Sequence, residues 1–167
     1  MLFRSLDAAQ QDAVLLDMRN PQGVGLTLAI AGQTPYLTWN GGASSAPLVL
    51  KNAATNIVPK VWTHVAVVFA ADRLTLLVNG AEAASAALPA GTQLSGALSL
   101  GALADGSRAL RGVNVDEFRV TKAALSGGAL RTIIASEGVG GALLAYGNDG
   151  TADDAGGQPS YFLITLQ

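Results

Sequence analysis

The sequence predicts an all-β chain: an antiparallel β-sandwich carrying one short helix. Three observations lead there. Short extended runs recur along the chain, separated by clusters of turn-forming residues. One of them, Trp62–Phe69, is apolar on both faces, the pattern of a strand in the middle of a packed sheet. The run Leu74–Val78 ends on Asn79-Gly80, the dipeptide that best tolerates positive φ at both centres of a type I′ hairpin turn.

The elements follow in order. Ala13–Met18 is extended and closes on the turn cluster Asn20-Pro21-Gln22-Gly23. In Val24–Ala31, Leu26, Leu28 and Ile30 alternate with Gly25, Thr27 and Ala29. Pro35–Asn40 is a short strand that stops at Asn40-Gly41-Gly42, and residues 43–60 read as strand fragments around a long surface loop. Trp62–Phe69 then places Trp62, Ala66 and Val68 on one face and Val65, Val67 and Phe69 on the other. Leu74–Val78 and Glu82–Ala87 should pair across the Asn79-Gly80 turn, and Leu98–Leu100 and Val113–Thr121 complete the strands. Ser126 can cap a helix from about Gly128 to Ser136, with Leu130, Ile133 and Ile134 on one stripe. Beyond Glu137 the composition shifts to Gly and Asp, interrupted by the strand-like Ala142–Tyr146 and closed by the apolar run Tyr161–Leu166. The expected organisation is therefore a sandwich over residues 1–137 and a Gly/Asp-rich linker with an apolar end over 138–167.

Composition narrows the function. A chain of 167 residues is long enough for one full core. Half of it is apolar and only 13% is charged, which leaves a surface rich in Ala, Gly, Ser and Thr. That balance points to a secreted or envelope-anchored domain, periplasmic or extracellular. A net charge of −2 with scattered Lys and Arg gives no footprint for nucleic acid or an anionic membrane. The absence of cysteine excludes a disulfide framework, a thiolate metal site and a Cys nucleophile. Met1–Leu6 lacks the basic start and apolar core of a secretory signal, and no apolar run is long enough to span a bilayer. The chain reads as a piece of a longer envelope protein, one that does not itself cross a membrane but could be tethered to one through its C-terminus.

Two landmarks carry a family resemblance. The first is Trp62-Thr63-His64-Val65-Ala66-Val67 followed by Leu74-Thr75-Leu76-Leu77-Val78-Asn79-Gly80, with Leu77 where Tyr is usual. The second is Gly112-Val113-Asn114-Val115-Asp116-Glu117-Phe118-Arg119-Val120 and then Ala124-Leu125-Ser126, in which Asn114 is an added departure. Together, over residues 10–137, they resemble the laminin-G-like (concanavalin A-like lectin/glucanase) superfamily of bacterial type. The resemblance implies a jelly-roll sandwich of two curved antiparallel sheets. It also implies an opening strand, for which Phe3-Arg4-Ser5-Leu6 is the only remnant; otherwise that strand is missing or supplied by the C-terminal segment. The Gly-Asp-rich tail before Ser160–Gln167 resembles the stretch ahead of the first membrane helix in envelope proteins with a proton-channel unit of the ExbB/TolQ/MotA type. There the domain would be an architectural ectodomain.

The superfamily contains glycosidases, which need two carboxyl groups about 5–5.5 Å apart for retaining hydrolysis. Its glucanases set them on one strand as E-x-D-x-x-E, and no such pattern occurs here. Asp116 and Glu117 are adjacent and face opposite sides of a strand. The chain is therefore expected not to be an enzyme; a glycoside hydrolase is a distant alternative. His64, the one histidine, is expected as a core imidazole hydrogen-bonded to a neighbour, Trp62 as a core residue, and Trp39 as core or a sugar-stacking platform. Laminin-G-like domains often hold a Ca²⁺ ion, and the resemblance makes Asp116 the metal candidate; its alternative role is to cap a turn or pair with Arg111 or Arg119. The cofactor expectation is none, or that one structural Ca²⁺. Asp149, Asp153 and Asp154 fail the EF-hand spacing. Ligand contacts are expected on loops: Asn40, Asn52 and Asn56 in the first long loop, with Ser44 and Ser45, and Arg108 in the second, with Asp105 and Arg111. The expected function is a non-catalytic recognition module for a glycan or an envelope protein.

Overall fold

The computed structural model describes residues 2–5, 10–43, 45–70, 72–116, 118–121, 124–137 and 162–166. Within these, the backbone alone is described at 2–5, 10, 11, 114, 116, 119, 121, 133–137 and 162–166. The strand-like run Ala142–Tyr146 and the Asp149, Asp153, Asp154 cluster lie outside the described residues.

Two sheets face each other. One runs β5 (Leu48–Lys51), β4 (Thr34–Asn40), β3 (Gly25–Gly32), β2 (Gln10–Arg19) and β9 (Ser99–Leu100), antiparallel throughout. The other sets β8 (Ala81–Ala87) beside β7 (Arg73–Val78) and β7 beside β6 (Thr63–Ala70). Its far side is formed by β10 (Val113–Asp116) and β11 (Phe118–Thr121), two stretches of the run expected as one strand. The lane between them and β6 is shared. β1 (Leu2–Ser5) fills one half, antiparallel to β10 and β6, and β12 (Phe162–Leu166) fills the other, parallel to β11 and β6. The opening strand is thus present and continued by the C-terminal segment. The antiparallel expectation holds everywhere except at β12, which enters this lane from the other end of the chain and so runs the opposite way to β1.

Sequence periodicity explains the core. Leu16, Leu26, Leu28, Leu37, Trp39 and Leu50 point inward from one sheet and meet Val65, Val67, Phe69, Leu74 and Leu76 from the other. The Trp39 and Phe69 rings lie 5.6 Å apart across the interface, tilted by 46°. β6 is buried on its second face as well, where Ala66 and Val68, with Leu77 from β7, receive Leu130 of the helix α1 (Gly127–Glu137). Ser126 caps α1 as expected, its Oγ accepting from Ala129 N at 3.1 Å. Asn79 and Gly80 have φ of 51° and 74°, so the β7–β8 connection is the expected type I′ turn.

Candidate functional site

Two polar regions stand out, one on the outer face of the five-stranded sheet and one at its edge. On the face, Asp17 of β2 lies opposite Thr27 of β3, so both side chains point the same way. Thr27 Oγ1 donates to Asp17 Oδ1 at 2.7 Å, and Arg19, two residues along the same face, donates from Nε at 2.7 Å. The Asp17 carboxylate is buried, and this fork holds the Arg19 guanidinium charged, its pKa raised chiefly by the hydrogen bond to Asp17. Further along, Arg108 donates to Asp12 Oδ1 at 2.7 Å and to the hydroxyl of Tyr36, which itself donates to Asp12. Burial, then the bond to Asp12, pushes the Tyr36 phenol up to about 12. The loop after β9 lies along β2 through Val14 N to Arg108 O (2.9 Å) and Gly101 N to Leu15 O (3.0 Å). Arg108 therefore pins a loop to the sheet.

The edge region is concave. A cleft of about 270 Å³ opens between the loop after β5 and the β7–β8 hairpin, lined by Thr55, Asn56, Asn79 and Glu82 among small apolar residues. Its loop wall is held firmly. Asn52 Nδ2 donates to Ala83 O at 3.2 Å, joining the edges of the two sheets, while its Oδ1 accepts from Ala54 N at 2.9 Å. Ile57, fully buried, bonds through its N to Gln33 O at 2.8 Å, and Asn56 Oδ1 accepts from Thr34 Oγ1 at 3.1 Å. On the hairpin wall, Asn79 Oδ1 accepts from His64 N at 2.9 Å, and Ser85 Oγ donates to Glu82 Oε1 at 2.6 Å. Arg73 stands 3.6 Å from that carboxylate, both side chains about half exposed.

The four loop candidates separate. Asn56 lines the cleft, and Asn52 braces its wall from behind through Ala83 O and Ala54 N. Arg108 sits on the sheet face, and Asn40, at the far end of β4 from Thr34, braces two turns by donating to Gly23 O (2.9 Å) and accepting from Gly42 N (3.0 Å). Asp116 stands in β10 opposite Leu2, with its side chain outside the description. Among the described residues no three His, Cys, Asp or Glu side chains gather as a metal cage. The Asp116 side chain is not among those described, and no step is built on the Ca²⁺ that the resemblance implied. Trp39 is core, not platform. Trp62 is only half-buried, because it precedes β6 rather than lying within it. His64 is buried as expected, but its Nδ1 has no hydrogen-bond partner among the described residues. Burial pushes its pKa down to about 3.

Sequence reasoning missed Asp12, Asp17, Arg19, Tyr36, Asn79 and Glu82. The parity of Asp17 and Arg19 was a usable signal for one pair. Nothing local announced the Asp12–Arg108 contact, made across 96 positions of sequence.

A family model described as the concanavalin A-like lectin/glucanases superfamily matches residues 3–130. The chain belongs to this superfamily. The match spans both sheets of the sandwich and the start of α1. None of the curated proteins matches this chain. Membership in the concanavalin A-like superfamily is thus carried by the sandwich itself, and it supports a carbohydrate- or protein-binding module.

Proposed function

We propose that this chain is a non-catalytic recognition module of the bacterial cell envelope, exposed to the periplasm or the exterior, that binds a glycan in the cleft between the loop after β5 and the β7–β8 hairpin. The observation that carries the reading is the convergence of Asn56, Asn79 and Glu82 on a concave site whose walls are already fixed. The cleft is below the usual range for drug-sized ligands and suits one sugar ring with its neighbours outside. Amide and carboxylate groups match hydroxyls as both donors and acceptors. Asn56 and Asn79 commit their oxygens to the protein, which leaves their Nδ2 groups as the donors a ligand would use, with the Glu82 carboxylate as an acceptor. The sheet face is the poorer candidate: Asp12 and Asp17 are each held by an arginine, and a ligand would have to break those pairs.

No catalytic role is assigned to these carboxylates, and binding in the cleft is routed through no metal. The rival reading, an architectural ectodomain tethered to a channel unit of the ExbB/TolQ/MotA type, calls for no ligand in the cleft. Titration of the nitrogen-labelled chain with envelope-type oligosaccharides, followed by amide NMR, separates the two. Shifts confined to Thr55, Asn56, Asn79, Glu82 and Ala83 are expected. Spectra unmoved across the panel, or shifts centred on Tyr36, would contradict the proposal.

A further inference from the structure

β12 pairs on both sides. Leu163–Leu166 matches Ala66–Phe69 of β6, and Phe162–Thr165 matches Phe118–Thr121 of β11. β1 enters the same lane from the opposite end, with Leu2 opposite both His64 and Asp116. Each strand covers only part of the lane, so neither completes the sheet without the other. The lane half beside Ala66–Phe69 and Phe118–Thr121 is therefore an acceptor groove. Without an occupant, backbone groups on two neighbouring strands lose their ladder partners in the interior of a sheet.

β12 is joined to the rest of the fold only through residues 138–161, a stretch rich in Gly and Asp. Every backbone pair it makes is to β6 or β11. A second copy of the chain carries the same Phe-Leu-Ile-Thr-Leu strand and can supply every one of those pairs. We propose that the groove exchanges its occupant, holding its own β12 in the monomer and the β12 of a second copy in a reciprocally swapped dimer. The same contacts are made in both forms, so the choice is set by protein concentration against the effective concentration at which a chain's own β12 meets its groove, on the order of millimolar for segments joined within one chain. Dilute chain closes on itself. Concentrated chain, or chain refolded from a concentrated unfolded state, exchanges.

The absence of native cysteine makes the test clean. Val68 and Thr165 are Cα partners across the β6–β12 ladder, within reach of a disulfide. A full-length chain carrying both Val68→Cys and Thr165→Cys should close an internal disulfide when oxidised in dilute solution. Full-length chains carrying one substitution each, distinguishable in mass, are then co-refolded at about 10 µM and about 1 mM and oxidised. The expected result is a hetero-linked dimer at the higher concentration, at least about tenfold less of it at the lower, and none when Ile164→Pro is added to the Thr165→Cys chain. Two results would overturn the proposal: failure of the double variant to close, which denies that β12 fills the groove, or closure there with no hetero-linked dimer at the higher concentration.

Discussion

His64 shows how one side chain sets a pH dependence. Its imidazole is buried and neutral in the fold, with a pKa lowered to about 3 by desolvation, whereas the unfolded chain titrates near 6.5. Below 6.5 the unfolded state takes up a proton that the native state refuses. Stability is thus fully present above 6.5 and falls as the pH drops towards 3, by about 1.4 kcal/mol per pH unit for this one group. The replacement His64→Leu also removes an Nδ1 that has no partner among the described residues, so it should leave stability at pH 7 unchanged or raised. Its denaturation midpoints should fall less steeply with acid than those of the wild type, and parallel slopes would contradict the assignment. Glycine positions give a second residue-scale test. A Cβ on Gly25 would stand 2.2 Å from the Met18 carbonyl oxygen with φ at +137°, where neither strand can give way. Gly25→Ala should cost about 3 kcal/mol or more in urea unfolding. Gly80→Ala, against the Arg131 side chain with φ at +74°, should cost about 1–3 kcal/mol.

At the scale of elements, the described side chains hold α1 to the sandwich through Leu130 over β6 and β7, and through Arg131, which donates to Gly80 O at 2.7 Å. Ser126→Ala should remove about 1 kcal/mol through loss of the cap, read by the same urea titration. The elements that local chemistry dictates were the legible ones. Alternation exposed β3 and β4, the doubly apolar run exposed β6, and Asn79-Gly80 fixed the hairpin turn. The shared lane was only half legible, because the docking of two chain ends into one lane beside β6 leaves no local pattern. The apolar run 161–166 was visible, and only the family resemblance offered the C-terminal segment as an opening strand, as an alternative to Phe3–Leu6 rather than beside it. The candidate site was less legible still. Asn52 and Asn56 could be named from loop polarity, but Glu82, which lines the cleft with Asn56, sits in a strand and reads there as an ordinary exposed face. Asn79 was explained by its turn before any ligand needed it.

For the whole molecule, the sandwich builds one apolar interior and leaves function to its rim. Charge is sparse, and much of what is described is already paired: Asp17 with Arg19, Asp12 with Arg108, Glu82 with Arg73. Of these, the Glu82–Arg73 pair is exposed on both sides and loosely spaced, so it contributes little to stability and can yield to a ligand. The cleft therefore combines fixed walls with one adaptable carboxylate. Substitutions there should separate binding from folding, because Asn56 and Glu82 are exposed and neither packs into the core. The most direct test is a panel of envelope-type glycans probed side by side with the wild type, Asn56→Ala and Glu82→Gln, with melting temperatures recorded for all three. The account predicts that the wild type binds at least one glycan, that each variant binds it at least about tenfold more weakly, and that the melting temperatures agree to within about 3 °C. Binding by the variants as tight as by the wild type, or a wild type that binds nothing on the panel, would contradict it.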